Sequence, residues 1–417
     1  MLLALLAGTV SAVDAADPGF VGRALFADRR DPPARRELDA TQRAEFDLGL
    51  QVFNTAWVAA GTPRAERRDG LGPLYISTSC DACHNNGARG RPAENGGLSN
   101  SFVMQLDGPA DLPYGAVLNT AALPDHSREG QVEVHWSLRH GSYADGSAWT
   151  LREPHYALIH LLYGPPPAAT VLRPRIAPAV YGVGLLEAVP ADALRAQRRQ
   201  QPRALRGELP TGRFGWRGDV RDVADQTGRA FAREMGLTSR LRAHDDCTTI
   251  QVACRNAPQG GSPEVSDEFL QAVLTFQHEL PVPARVSLQS DEDAAGARLF
   301  ASTGCATCHV PALPVRSDGA DARIDAYTDL LVHDMGEALA DHRADGRIVK
   351  SRWRTAPLWG LAQASRFGEV ALLHDGRAAS IEQAILWHGG QAAAAQRTFQ
   401  RLSAAERALL LRWVGSL

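Results

Sequence analysis

Lysine is almost missing from this chain: Lys350 is the sole lysine among 44 basic residues. Arginine therefore carries nearly all the positive charge, as genomic codon bias would produce, and no single arginine is informative by itself. Long apolar runs are missing too. No stretch of about 18 apolar residues occurs, which excludes an internal membrane span. Charge of one sign is not in excess, since 44 basic and 47 acidic residues leave a net charge of −3, and this balance predicts no nucleic-acid partner. Methionine (four) and cysteine (six) are scarce, so the placement of each carries weight. What is present is a chain of 417 residues with 44% hydrophobic composition. That is enough for two or three domains with a sizeable core, and too apolar for a disordered or fibrous chain.

Leu2 to Val10 form a short apolar run, followed by Ser11-Ala12-Val13-Asp14-Ala15, a small-residue cleavage pattern. Met1 supplies no basic region ahead of it. Residues 1–15 therefore read as a truncated export signal with the mature chain starting near Ala16, against the alternative of a buried N-terminal helix.

The six cysteines fall into three close pairs. Cys80-Asp81-Ala82-Cys83-His84 and Cys305-Ala306-Thr307-Cys308-His309 both satisfy C-x-x-C-H, the spacing for covalent attachment of haem c. Two thiols on one helical turn can add to the two vinyl groups of one porphyrin, and the next residue can direct its imidazole at the iron. From composition, chance yields about 0.003 such motifs in a chain like this. A thioredoxin-like dithiol would not need a histidine after each pair. A shared zinc site would need ligands much closer in sequence than the 225 residues that separate Cys80 from Cys305. Covalent haem also requires export, which agrees with the leader. The third pair, Cys247 and Cys254, sits in a polar loop without a following histidine and is expected to form a local disulfide, with two free thiols as the alternative.

Each motif has a helical lead-in, Phe46 to Phe53 and Ala295 to Phe300, ending in Gly-x-x-x-Phe. Arg175-Ile176-Ala177-Pro178-Ala179-Val180-Tyr181-Gly182 also echoes Arg354-Thr355-Ala356-Pro357-Leu358-Trp359-Gly360, so the halves read as two versions of one unit. A helix is predicted over 267–280, capped helices begin after Ser380 and Ser403, and strand signals are confined to Ser101–Leu106 and Gln131–Trp136. The expected architecture is mainly α: two cytochrome c-like haem domains with long Gly/Pro-rich loops and a few short strands. The boundary is placed at the Pro281-Val282-Pro283 linker, giving domains 16–280 and 281–417.

His84 and His309 are the expected proximal ligands of two haem groups. The sixth position decides function, because an iron with two strong protein ligands shuttles electrons whereas an open one binds small oxidants. His388 ends a capped helix ahead of Gly389-Gly390, where an imidazole can be aimed rigidly while the backbone turns close to a cofactor. Met335 is the rival ligand. No residue claims the sixth position of the first haem, although His126, His135, His140, His155, His160 and Met104 lie in its domain. Arg175, Arg354 and Arg377 are candidate propionate contacts through their forked donors.

The segments Gly70-Leu71-Gly72-Pro73-Leu74-Tyr75, Ser79 to Gly87, Arg175 to Pro178 and Gly184-Leu185-Leu186-Glu187-Ala188-Val189, with Leu331 to Gly336, Trp353 to Gly360 and Leu373-His374-Asp375-Gly376-Arg377, resemble the bacterial dihaem oxidoreductases associated with peroxidase or thiol-oxidoreductase activity. A more distant resemblance runs to the dihaem cytochrome c peroxidases. In those enzymes the helix after a His-Asp-Gly segment ends in the distal methionine of the electron-storing haem. That resemblance implies His388 at the corresponding position, hence a bis-histidine second haem of lower potential. It also implies an open first haem and a carboxylate that moves a proton between peroxide oxygens, for which Glu187 is the candidate. Calcium between the domains is compatible with such an enzyme, although no residue pattern here points to it.

The expectation is thus an exported, periplasmic dihaem c-type oxidoreductase. Its C-terminal haem relays electrons from a redox partner protein or small donor to an N-terminal haem that reacts with peroxide or oxidises a substrate. The alternatives are a non-enzymatic electron carrier with both irons six-coordinate, or a dioxygen-using haem enzyme.

Overall fold

The computed structural model describes residues 36–63, 65, 67–91, 101–316, 322–349, 351–364 and 370–417. The leader lies outside the described residues. The lead-in of the first motif is helix α1 (Ala40–Asn54), opened by a capping box in which Asp39 and Gln42 exchange hydrogen bonds. The motif itself is the single turn α2 (Cys80–Cys83), capped by Ser79. Short helices α3 (Val183–Glu187) and α4 (Ala191–Gln200) follow, then α5 (Val223–Glu234), the turn α6 (Val252–Arg255) and α7 (Asp267–Glu279). The second half repeats the plan with α8 (Ser290–Ser302) before its motif, then α9 (Leu361–Ala364), α10 (Ile381–Trp387), α11 (Ala393–Arg401) and α12 (Ala404–Val414).

The Gly-x-x-x-Phe parallel has a packing cause. A methyl on Gly49 would overlap the carbonyl oxygen of Ala272 and lie 2.7 Å from Cβ of Phe276, so only glycine lets α1 cross α7 this closely. Gly296 does the same for α8 on α12, where a methyl would lie 2.5 Å from Cβ of Trp413. Four residues further on, Phe53 meets Phe276 at 5.2 Å and Phe300 meets Trp413 at 5.0 Å. Each half therefore holds one pair of crossed helices with an aromatic contact beside its cysteine motif.

The expectation of a mainly α protein is not met. Among the described residues 34% are helical and 18% lie in strands spread over several small sheets. Strand β1 (Leu74–Tyr75) pairs with β3 (Ala121–Ala122). Strand β2 (Phe102–Asp107) lies against β6 (Val171–Ile176), which also pairs with β10 (His342–Arg343) of the second half. The largest element is a ribbon of β4 (Gln131–Ser142) and β5 (Ala148–Ile159), twelve residues each. Its turn holds Asp145-Gly146, with Gly146 at φ 82° and Tyr143 N–H donating to the Ser147 carbonyl at 2.8 Å. In the second half β7 (Leu313–Val315) pairs with β8 (Ala322–Ile324), and β9 (Val332–Asp334) with β11 (Arg352–Arg354).

The ribbon escaped the sequence pattern because beyond His135 most of β4 is solvated on both faces, so no clean alternation develops. Its tip is held by the second half. Tyr143 Oη donates to Glu382 at 2.6 Å, Ala144 N–H to the Gln400 carbonyl at 3.0 Å, and Arg407 Nη2 to Asp145 at 2.8 Å.

The hydrophobic cores interlock in the same way. One joins Phe46, Phe231 and Leu270 with Leu313, Leu330 and Trp359, and another joins Phe300, Phe399 and Trp413 with Tyr143 and Leu151. No helix of the described residues is long and apolar enough to cross a membrane.

Candidate functional site

Ser79 Oγ accepts from Ala82 N–H and starts the one-turn helix, whose end is fixed by His84 N–H donating to the Cys80 carbonyl at 2.8 Å. The chain then reverses at Asn86 (φ 58°), held by its N–H on Asp81 Oδ1 at 2.8 Å. This presents His84 with Nδ1 donating to the Pro178 carbonyl at 2.7 Å, which leaves Nε2 as the free ligand atom. Pro178 belongs to the first of the two echoed Arg-x-Ala-Pro segments.

His84, Cys80 and Cys83 line a cavity of about 290 Å³ whose wall also includes Arg89, Trp216, Arg354 and Trp359, so both halves build it. Among the described residues His84 is the one histidine on its wall. His126, His135, His140, His155 and His160 are not on its wall, and neither is Met104, while Met235 is. Burial pushes the thiols of Cys80 and Cys83 up to about 12, with Cys83 adding to the effect on Cys80. Such thiols are protonated at neutral pH and slow in disulfide exchange.

The cavity fits a dianionic, flat cofactor. Arg354 donates only to backbone carbonyls, and burial together with neighbouring Arg213 lowers its pKa to about 10. Arg89 stands over Trp216, and burial lowers its pKa as well. Among the described residues neither guanidinium has a carboxylate within salt-bridge distance, so two half-buried positive charges on the cavity wall suit anionic groups such as haem propionates. Arg175 lies on the same wall, but its fork is taken by Asp341 at 2.8 and 2.7 Å. Arg377 is not on the wall and pairs with Asp375. Arg89 gave no signal in the sequence because nothing separates it from the other arginines.

Glu187 also stands off this wall. Its carboxylate accepts from Val223 N–H at 2.8 Å and meets His278 Nε2 at 2.7 Å. Despite partial burial, those bonds hold it below the usual carboxylate range. The position is that of a clasp between α3, α5 and α7. The carboxyl groups that do reach the cavity are Asp219 and Glu234, and burial raises Glu234 to about 7.

In the second motif, Gly304 (φ 95°) ends the lead-in helix and Cys305–Thr307 form a 3-10 turn. His309 Nδ1 donates to the Tyr327 carbonyl at 3.0 Å, and His388 Nδ1 to the Ala384 carbonyl at 2.6 Å, one turn back in α10. Both rings keep Nε2 free. Burial, and then the His388 imidazole, lower the pKa of His309 to about 4. The backbone after His388 passes against Met335, since a methyl on Gly389 would lie 2.8 Å from the Met335 carbonyl oxygen.

Sequence reasoning missed a polar chain beside this motif. Gln201 donates to the Thr307 carbonyl at 3.1 Å and to Asp329 Oδ2 at 2.6 Å. Asp329 meets His333 Nε2 at 2.8 Å, and His333 Nδ1 lies 3.8 Å from Cys308 Sγ. Burial opposes a charge on His333, but its bonds to Asp329 and Cys308 outweigh burial and raise its pKa to about 10. Cys308, Asp329 and His333 are close enough to hold a metal ion, a use open only while Cys308 is a free thiol. Cys247 and Cys254 are joined in a disulfide, in which Cys80, Cys83, Cys305 and Cys308 take no part.

Two paired-cysteine and imidazole sites, one opening on an arginine-lined cavity, define the class of haem oxidoreductases. Residues 201–417 match the family described as "Di-haem oxidoreductase, putative peroxidase", and the chain belongs to that family. No curated protein sequence matches the chain. Among solved structures, hydrazine synthase of Kuenenia stuttgartiensis aligns over 100% of both chains at 12% identity, with a TM-score of 0.35.

Proposed function

We propose that this oxidoreductase is an exported protein with two covalently bound haem c groups, in which the C-terminal haem stores electrons and the N-terminal haem reduces peroxide or oxidises a substrate. The observation that carries this reading is the asymmetry of the sites. His309 feels the charge of a second imidazole, His388, whereas among the described residues His84 is the one histidine on the wall of its cavity.

When bound, each haem supplies an iron that exchanges single electrons. Cys80 and Cys83 would hold the first haem by thioethers and Cys305 and Cys308 the second, and the His84, His309 and His388 imidazoles would bind their irons. The Pro178, Tyr327 and Ala384 carbonyls fix the tautomer of each ring, so no ligand has to reorient. Arg89 and Arg354, both on the cavity wall, would hold the propionates of the first haem. Peroxide reduction consumes two electrons and two protons. Glu234, whose half-buried carboxyl is pushed up to about 7 by desolvation, lines the cavity and would lend a proton and take it back, the role first considered for Glu187.

Intact mass and haem absorbance of the exported protein test the attachment. Electron paramagnetic resonance and the ferrous carbon monoxide difference spectrum test the asymmetry, with one accessible iron as the expected result. Two closed irons would make the protein an electron carrier.

A further inference from the structure

Between Arg195 and Arg206 the chain carries five arginines and no carboxylate, although acidic residues outnumber basic ones by three over the whole sequence (47 − 44). This stretch is the end of α4 and the turn after it. Arg195, Arg199 and Arg203 are exposed and have no ion-pair or hydrogen-bond partner among the described residues. Arg198 is spent on the Gly207 carbonyl at 3.0 Å, and Glu208, the first acid beyond, pairs with Arg352. Asp192, three residues before Arg195, makes no salt bridge with it.

The location of this face is set by two glutamines. Gln201 donates to the Thr307 carbonyl, two residues before His309. Gln391, three residues after His388, donates to the Ala204 and Arg206 carbonyls at 3.3 Å. The arginine segment is therefore fastened to the segments that bear both imidazoles of the second site, and it belongs to the protein's surface.

We propose that this face is the docking surface for an acidic electron-carrier protein that delivers electrons to the second haem. The inference rests on the two-haem reading and adds the point of electron entry and the charge of the donor. Unpaired guanidinium groups in solvent cost nothing to leave exposed and steer an oppositely charged partner into place. A lipid surface is the poorer match, because the apolar side chain of α4, Leu194, is buried and leaves no face for insertion.

The test uses the full-length haem-loaded protein and reduced plant-type [2Fe–2S] ferredoxin, an acidic one-electron donor of low potential. Haem reduction is followed by stopped flow against ionic strength in wild type and in Arg195→Glu/Arg199→Glu/Arg203→Glu. We expect the second-order rate constant at low salt to fall about 10- to 100-fold and its salt dependence to flatten. Reduction by dithionite should stay unchanged, and the triple lysine variant should retain the wild-type rate. Equal ferredoxin rates with equal salt slopes overturn the proposal. So does charge-dependent binding to phosphatidylglycerol vesicles with ferredoxin rates unaffected. Haem content is measured on the same samples, so a chain without haem defeats the two-haem reading separately. Calorimetric titration of oxidised ferredoxin onto that chain then decides the surface: weaker binding by the variant supports it, and equal binding removes it.

Discussion

Gly182 and Gly360 close the two echoed segments, and each lies under the other's aromatic residue. Gly182 has φ 71°, and a methyl there would lie 2.7 Å from Trp359; Gly360 has φ 77°, and a methyl there would overlap the Tyr181 hydroxyl and lie 2.5 Å from its Cζ. Gly360→Ala should therefore cost about 1–2 kcal/mol for a left-handed alanine and about 1–3 kcal/mol for displacing a buried ring, hence roughly 2–5 kcal/mol together. Urea unfolding of the haem-loaded protein measures it. Tyr181→Ala alone should cost about 3–5 kcal/mol, like other large-to-small core changes. In the double variant the overlap vanishes and only backbone strain remains, so the two costs should fall short of additivity by about 1–3 kcal/mol. A Gly360→Ala cost below about 1 kcal/mol, or strict additivity, would refute the reciprocal packing.

Further outcomes are open to measurement. His388→Ala should convert the second haem from low spin, seen by electron paramagnetic resonance, while Met335→Ala should leave it low spin; the opposite pattern would exchange their roles. Glu234→Gln should slow peroxide-dependent reoxidation and remove the inflection near pH 7 that its raised pKa predicts, with KM for peroxide little changed. Glu129 is fully buried, and burial raises its pKa from 4.5 to about 8 against the bonds from Asn119 and Gln251. Because the native state keeps the proton that the unfolded chain releases, stability should fall as pH rises from 4.5 to 8, by at most about 4–5 kcal/mol. Glu129→Gln should abolish that slope in urea unfolding at the two pH values. Replacing Cys247 and Cys254 by serine opens a short loop and should cost about 2 kcal/mol in the same assay.

The helices and cysteine turns were legible in the sequence because their signals are local. Ser403 and Glu406 form the full capping box that their spacing announces. Ser380 caps Gln383 N–H as expected, although the Gln383 side chain turns to Ala379 instead. The β4–β5 ribbon was illegible beyond Trp136 because its order comes from contacts with residues more than 200 positions away, and its one local sign was Asp145-Gly146. Glu187 was drawn to the site by its neighbours in sequence, but a motif does not reveal which side of a short helix faces the cavity. Arg354 was found through the internal echo, whereas Arg89 has no counterpart that would single it out.

The way the halves share parts bears on how this protein could be taken apart. The first cavity borrows Arg354, Pro357 and Trp359 from downstream, and the second motif is braced by Gln201 from upstream. Cutting at the proline linker would leave each fragment with a breached wall and exposed aromatic rings. Exchange of single halves among relatives, or production of one half as a minimal enzyme, should therefore fail unless the complementary fragment is supplied in the same compartment.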